Sequence, residues 1–159
     1  MKKLFYLLLA MIAVIFISCQ QKVDFEKEKA AIIDVLNTEG SAFIEYDLEK
    51  VFSLHMQDEL ATRFDGNKIY KDWDEIRSLY ESYAERNKQD TTFANPKNIK
   101  ENIICKVTGK TAWLICDNIW KYDLNNVPQE SKNIQIAFME KINNDWKFSF
   151  NAFIPLPGE

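Results

Sequence analysis

His55 is the only histidine of the chain, and Asp58 follows it three residues later. An imidazole beside a carboxylate is the residue pair most often used for general acid–base work, because histidine titrates close to neutral pH. The alternative for His55 is structural: it stands where a short helix should end, and a histidine there interacts favourably with the helix dipole. A single histidine without a cysteine cluster offers no metal-ligand spacing, and nothing in the sequence points to a cofactor. Cys105 and Cys116 are the other reactive candidates. A two-residue turn at Gly109-Lys110 pairs Cys105 with Leu114 and leaves Cys116 a diagonal neighbour, out of disulfide reach. A register shifted by two residues would align them, and free thiols are the preferred reading.

The elements that must position these residues change character along the chain. Asp24 can cap a first helix, with Glu26 and Glu28 in its first turn. Phe25, Ile32, Ile33, Leu36, Phe43 and Ile44 then form a helical stripe interrupted only by Gly40. Asp47 opens a shorter helix with Leu48, Val51, Phe52 and Leu54. Glu59 to Asp65 reads as a short strand, and Asp65-Gly66 as a turn. Asp72 caps a third helix with Glu75 as its capping-box partner; Trp73, Ile76, Leu79, Tyr80 and Tyr83 share its apolar side.

After Asn95-Pro96 the period becomes two. Strands are predicted over 99–107, 111–122, 133–142 and 146–153, with 124–132, containing Pro128, as a longer loop. A three-residue turn at Asn143 to Asp145 pairs Ile142 with Trp146, Phe138 with Phe150 and Ile136 with Ala152. It places Ile134, Ile136, Phe138, Phe148 and Phe150 on one face. In the preceding hairpin, Cys105, Leu114, Cys116, Asn118 and Trp120 share a face, and Ile104, Trp113, Ile115 and Ile119 the other. A sheet apolar on both sides is covered on both sides, by helices on one and by a second subunit on the other. The fold class is α+β, three N-terminal helices on one curved antiparallel sheet.

The first 18 residues are a different material. Lys2 and Lys3 precede an uncharged apolar run from Leu4 to Ile17, too short for a spanning helix and suited to a signal segment. Phe16-Ile17-Ser18-Cys19 resembles the lipobox of bacterial lipoprotein precursors. That resemblance implies cleavage before Cys19 and its acylation, with two or more chains giving stable membrane attachment. The expected organisation is a signal peptide over 1–18, a lipidated tether over 19–23 and a domain over 24–159, held at the bacterial cell envelope. The whole chain of 159 residues carries a formal charge of −4. Removing the first 18 residues takes two lysines and no acid, so the rest is more acidic still. That excludes backbone-driven nucleic-acid binding, and the length excludes a two-domain enzyme. Four glycines, four prolines and 47% hydrophobic residues indicate a packed core, not disorder.

Over roughly residues 24–155 the chain resembles the SnoaL-like branch of the nuclear transport factor 2-like superfamily. The resemblance rests on Asp47-Leu48-Glu49 after the first helix, Phe64-Asp65-Gly66 before the third helix at Trp73, Gly109-Lys110-Thr111-Ala112-Trp113, and Asn144-Asp145-Trp146-Lys147-Phe148 opening the last strand. It implies a cone in which three helices close the concave face of the sheet around a pocket, and a family containing isomerases, dehydratases, cyclases and non-catalytic binders. Catalytic relatives often carry a histidine on the last strand, where Phe150 and Ala152 stand here. An acid–base carboxylate of other members falls near Arg63, which stays charged and is no base. The resemblance therefore implies a non-catalytic small-ligand-binding or assembly module, with a small isomerase- or cyclase-type enzyme using His55 and Asp58 as the alternative. Pocket candidates are Arg63, Tyr83, Asn118, Trp120, Phe138 and Phe150. Arg63 and Asn118 would orient a small apolar or anionic ligand. Trp113, Ile115 and Ile119 are the candidate homodimer face.

Overall fold

The computed structural model describes residues 24–156. The signal segment, Cys19 and the tether lie outside the described residues. Helix α1 (Phe25–Ile44) starts at Asp24, whose carboxylate accepts from the Lys27 amide at 3.2 Å. Its buried face comprises Ile32, Leu36, Glu39, Gly40 and Ala42. Helix α2 (Leu48–Ser53) is capped by Asp47 through the Lys50 amide at 3.0 Å. Strands β1 (Thr62–Asp65) and β2 (Lys68–Tyr70) form a small hairpin before helix α3 (Trp73–Gln89). Asp72 accepts from the Glu75 amide, and Glu75 reaches back to the Lys71 amide, each at 2.9 Å. These two bonds satisfy donors that a helix start otherwise leaves open.

Four long strands follow: β3 (Phe93–Thr108), β4 (Thr111–Leu124), β5 (Val127–Ile142) and β6 (Asp145–Pro155). The sheet order is β2-β1-β6-β5-β4-β3, antiparallel throughout except that β1 runs parallel to β6. Three helices before a curved antiparallel sheet is the architecture the patterning predicts, and Cys105 pairs with Leu114 with both thiols free.

Three details depart from the patterning, each for a local reason. The stretch 124–132 is no loop, because Asn125 and Asn126 at φ 53° and 63° make a two-residue turn and the strands run straight through. Two left-handed residues match the twist of a hairpin, and asparagine tolerates them. Pro128 is accommodated because β5 is paired with β6 only from Asn133 onward, leaving an open edge there. The β5–β6 turn is likewise the two-residue Asn143-Asn144, so Trp146 pairs with Lys141 and not with Ile142. A bulge between the pairs Met139–Phe148 and Phe138–Phe150 then inserts Ser149 and restores the predicted Phe138–Phe150 and Ile136–Ala152 pairs.

That bulge splits the face predicted to hold Phe148 and Phe150 together. Phe148 points inward, 1% exposed, whereas Phe150 stacks edge-on against Phe138 at 5.7 Å beside the exposed Trp113. Phe138 is 50% exposed, so neither Phe138 nor Phe150 lines a pocket. On the same outer face Ile104 and Trp113 are exposed and Ile115 half-buried, while Ile119 is already covered by its own chain and offers nothing to a partner.

The core has two parts. At the hairpin end Ile32, Leu36 and Leu54 pack on Leu114, Cys116, Ala137, Met139, Trp146 and Phe148. Beneath α2 and α3, Ala42, Val51, Phe52, Met56, Trp73, Ile76 and Tyr80 form the second. Burying each large side chain contributes roughly 1.5–3 kcal/mol. The amino-terminal part of α1 is clamped to the hairpin end, where Glu28 accepts from Lys141 at 2.6 Å and Trp146 at 2.8 Å. Among the described residues no helix is long and apolar enough to cross a membrane.

Candidate functional site

Between the closed apolar end and the open rim lies a layer of buried polar side chains. Glu39, one of the inward residues of α1, is 4% exposed. Its Oε1 accepts from the Tyr80 hydroxyl at 2.5 Å and Asn151 Nδ2 at 3.2 Å, and stands 3.3 Å from His55 Nε2. Its Oε2 accepts from Gln135 Nε2 at 3.4 Å. The Tyr80 oxygen in turn accepts from Arg63 Nη1 at 2.6 Å and lies 3.1 Å from His55 Nε2. Since Tyr80 gives its single proton to a carboxylate, Nε2 of His55 must carry a proton of its own to face that pair.

Burial alone would raise the Glu39 carboxyl. The hydrogen bond and charge of His55, with the charges of Lys100 and Arg63, outweigh it and hold Glu39 well below the usual carboxylate range. Burial pushes the Tyr80 hydroxyl far up, and the negative charge of Glu39 adds to it against the pull of Arg63. Glu39 is thus a fixed charge and a weak base, and Tyr80 a hydrogen-bond junction that keeps its proton. Arg63, 6% exposed, is committed to Asp65 through Nε at 3.3 Å and Nη2 at 2.9 Å and stacks 4.4 Å over the Phe153 ring.

Facing this layer across the sheet is Lys100. Its ammonium donates to Asn118 Oδ1 at 2.7 Å and Gln135 Oε1 at 2.5 Å. Enclosure pushes it down to about 8, against the opposing charge of Glu39. Asn118 is fully buried and is also bonded by Asn98 at 2.7 Å and to Asn133 at 2.9 Å. Gly40 makes room for Asn98: a Cβ at that position would collide with the Asn98 amide.

Above the layer opens a cavity of about 330 Å³, walled by Phe43, Tyr83, Phe93, Trp120, Tyr122 and Phe153 with Glu39, Arg63, Tyr80 and Lys100 at its base and Arg86 at its rim. Of the sequence-predicted pocket residues, Arg63, Tyr83 and Trp120 line this cavity, and Asn118 supports it from beneath by holding Lys100. His55 is buried behind Glu39 and Tyr80, with Nε2 turned to both. Asp58 is exposed and accepts from the Leu60 amide at 2.9 Å, so the two do not act as a pair: each has other partners. The last-strand positions compared with a catalytic histidine, Phe150 and Ala152, fall on the outer side of the bulge, and Asn151 is the residue that reaches the polar layer.

Sequence reasoning missed Glu39 and Lys100. Glu39 was detectable, since Ile32, Leu36, Glu39 and Phe43 lie on one helical stripe and a carboxylate there must be buried. Lys100 was not, because strict alternation from Cys105 puts it on the outer face. Asn102, at φ 53°, sits in a bulge between the pairs Glu101–Asp117 and Ile104–Ile115 and turns Lys100 inward. Among the described residues no group of three His, Cys, Asp or Glu side chains is placed to hold a metal ion.

No family model matches the sequence, and no curated protein does either. Solved structures do match. A provisional dehydratase of the nuclear transport factor 2-like family from Streptomyces avermitilis superposes with a TM-score of 0.71 at 13% identity, covering 82% of this chain and 98% of the other. A nuclear transport factor 2-like protein with a cystatin-like fold from Novosphingobium aromaticivorans gives 0.70 at 14% identity over 84% of each chain. A nuclear transport factor 2-like superfamily protein from Salmonella enterica gives 0.68 at 15%, over 84% and 95%. Helices packed on a curved, unclosed six-stranded sheet, with these superpositions, identify the chain as having the nuclear transport factor 2-like, cystatin-like fold.

Proposed function

We propose that this chain is a lipid-anchored binding module of the bacterial envelope, whose cone takes a small, flat, largely apolar ligand with an oxygen-bearing head. One observation carries the reading: the cavity joins an aromatic rim to Lys100, an enclosed cation whose hydrogen bonds go to neutral amide oxygens. Arg63, by contrast, is neutralised by Asp65 and serves the wall. Aromatic walls with a few convergent polar groups are the usual makeup of a small-molecule site. The anchor rests on the lipobox-like Cys19, and the apolar outer face, with the exposed Trp113 and Phe138 and the half-buried Ile115, is the surface for a second copy.

The test is quenching of Trp120 fluorescence by 2-naphthoate in the full chain, with Trp120→Phe identifying the reporter. Saturable quenching that is weakened by Lys100→Met supports the reading, and its absence removes it.

A second reading, proton-transfer chemistry on the bound ligand, draws on the contact of Tyr80 with Glu39, His55 and Arg63 and on a fold neighbour provisionally named a dehydratase. Against it stands the weak basicity of a carboxylate with this many donors. Solvent deuterium entering a bound, enolisable ligand, and lost in Glu39→Gln, would establish it.

A further inference from the structure

The amine of Lys100 has surroundings that fit more than ion pairing. Both groups it donates to are amide oxygens, and their polarity is imposed from behind. Gln135 Nε2 is turned to Asn151 Oδ1 at 2.9 Å and to Glu39, so its oxygen faces Lys100. Asn118 Nδ2 is likewise given to Asn133, leaving its oxygen for Lys100 and Asn98. An ammonium carries three N–H bonds and a neutral amine two. Two acceptors therefore satisfy the neutral amine completely and leave its lone pair as the remaining tetrahedral direction of the nitrogen, on a residue that lines the cavity. The titratable groups around it are Glu39 from α1, Arg63 from β1 and Cys116 from β4; burial and Arg63 disfavour the ammonium and Glu39 favours it, while Cys116, pushed up to about 11 by burial, is a neutral thiol near pH 8. The balance leaves a useful neutral fraction near pH 8.

We propose that Lys100 is a carbonyl-capturing amine, which condenses reversibly with an aldehyde or ketone head of the ligand to form an imine. The proposal rests on the binding reading above and names the head group. The amine lone pair adds to the carbonyl carbon; the carbonyl oxygen then departs as water, taking both amine hydrogens, and a C=N bond replaces C=O. No oxidant or reductant is needed, and hydrolysis reverses the step. A desolvated lysine in an apolar pocket is the form in which this side chain is nucleophilic.

The test treats the full chain with 2-naphthaldehyde and sodium cyanoborohydride, which fixes imines as secondary amines, and maps the adducts by peptide mass spectrometry. Lys100 should be modified at least roughly tenfold faster than the exposed Lys50 and Lys97 of the same molecule, with 2-naphthoate protecting Lys100 alone. The trapping rate should climb from pH 6 to 8 as the amine loses its proton. Labelling of Lys100 no faster than Lys50, with 2-naphthoate still quenching Trp120, overturns the covalent proposal and leaves the binding reading intact. Absence of both labelling and quenching overturns the two together.

Discussion

The Tyr80 hydroxyl donates to Glu39 Oε1 across 2.5 Å, joining two helices whose contributing residues are 41 positions apart. Both side chains are almost wholly buried, and each has its remaining capacity filled by Arg63, His55, Asn151 or Gln135. A buried polar network of this kind holds together only when every member is satisfied. Removing one hydroxyl leaves several others short.

Tyr80→Phe is therefore expected to lower unfolding free energy by about 1–3 kcal/mol, the penalty for stranding buried partners. Urea denaturation followed by circular dichroism measures it. A loss below a few tenths would mean that water replaces the hydroxyl.

Acid should act through Glu39. Its folded pKa is depressed, so the stability it provides is complete above its ordinary value near 4.5 and is lost as pH falls toward about 2. The loss is on the order of 2–3 kcal/mol. Glu39→Gln should flatten this slope of stability against pH between 5 and 2, as read from thermal melts.

Lys100 predicts the opposite arm. If the ammonium holds a carboxylate head, the affinity for 2-naphthoate should fall as pH rises through about 8, where Lys100 loses its charge. Fluorescence titrations at pH 7 and 9.5 test this, and an unchanged affinity would place the carboxylate elsewhere.

Gly40→Ala sets two effects against each other. Alanine favours the helix by about 1 kcal/mol. Its Cβ, however, would displace the Asn98 amide and break the Asn98–Asn118 bond that steadies Lys100. Stability should change by less than about 1 kcal/mol while naphthoate binding weakens several-fold. Equal loss of both would make Gly40 a packing residue only.

On the outer face, Phe138→Asp should shift sedimentation from dimer to monomer with little change in melting temperature, since Phe138 is half exposed in the single chain. A wild-type chain that sediments as a monomer would leave this face without its partner.

How much of this was legible before the fold was seen depends on whether a residue's position follows from local rules. The capped helices were legible because Asp24, Asp47 and Asp72 cap in the way their chemistry dictates. The β3–β4 register was legible because Gly109 at φ 62° fits a tight turn. Phe150 and Lys100 were not, for one reason: each lies beyond a bulge that reverses the alternation of its strand, at Ser149 and Asn102. Asn125-Asn126 and Asn143-Asn144 were read as loop or longer-turn residues because asparagine permits a left-handed pair without demanding it. Glu39 was hidden by its own charge, which marks a solvated residue until its helical stripe is drawn.

The clamp of Glu28 onto Lys141 and Trp146 also fixes where the start of α1 lies relative to the cavity. It ties the start of α1 to the closed end of the cone, while Glu39, Gly40 and Phe43 near its other end border the opening. Twenty helical residues separate these ends by roughly 30 Å. If Cys19 is acylated as proposed, the attachment point lies on the side of the sealed tip, and the mouth would face the aqueous compartment. Under the proposed anchoring and binding roles, such a module would take its ligand as a dissolved solute and not by diffusion out of the lipid leaflet beneath it.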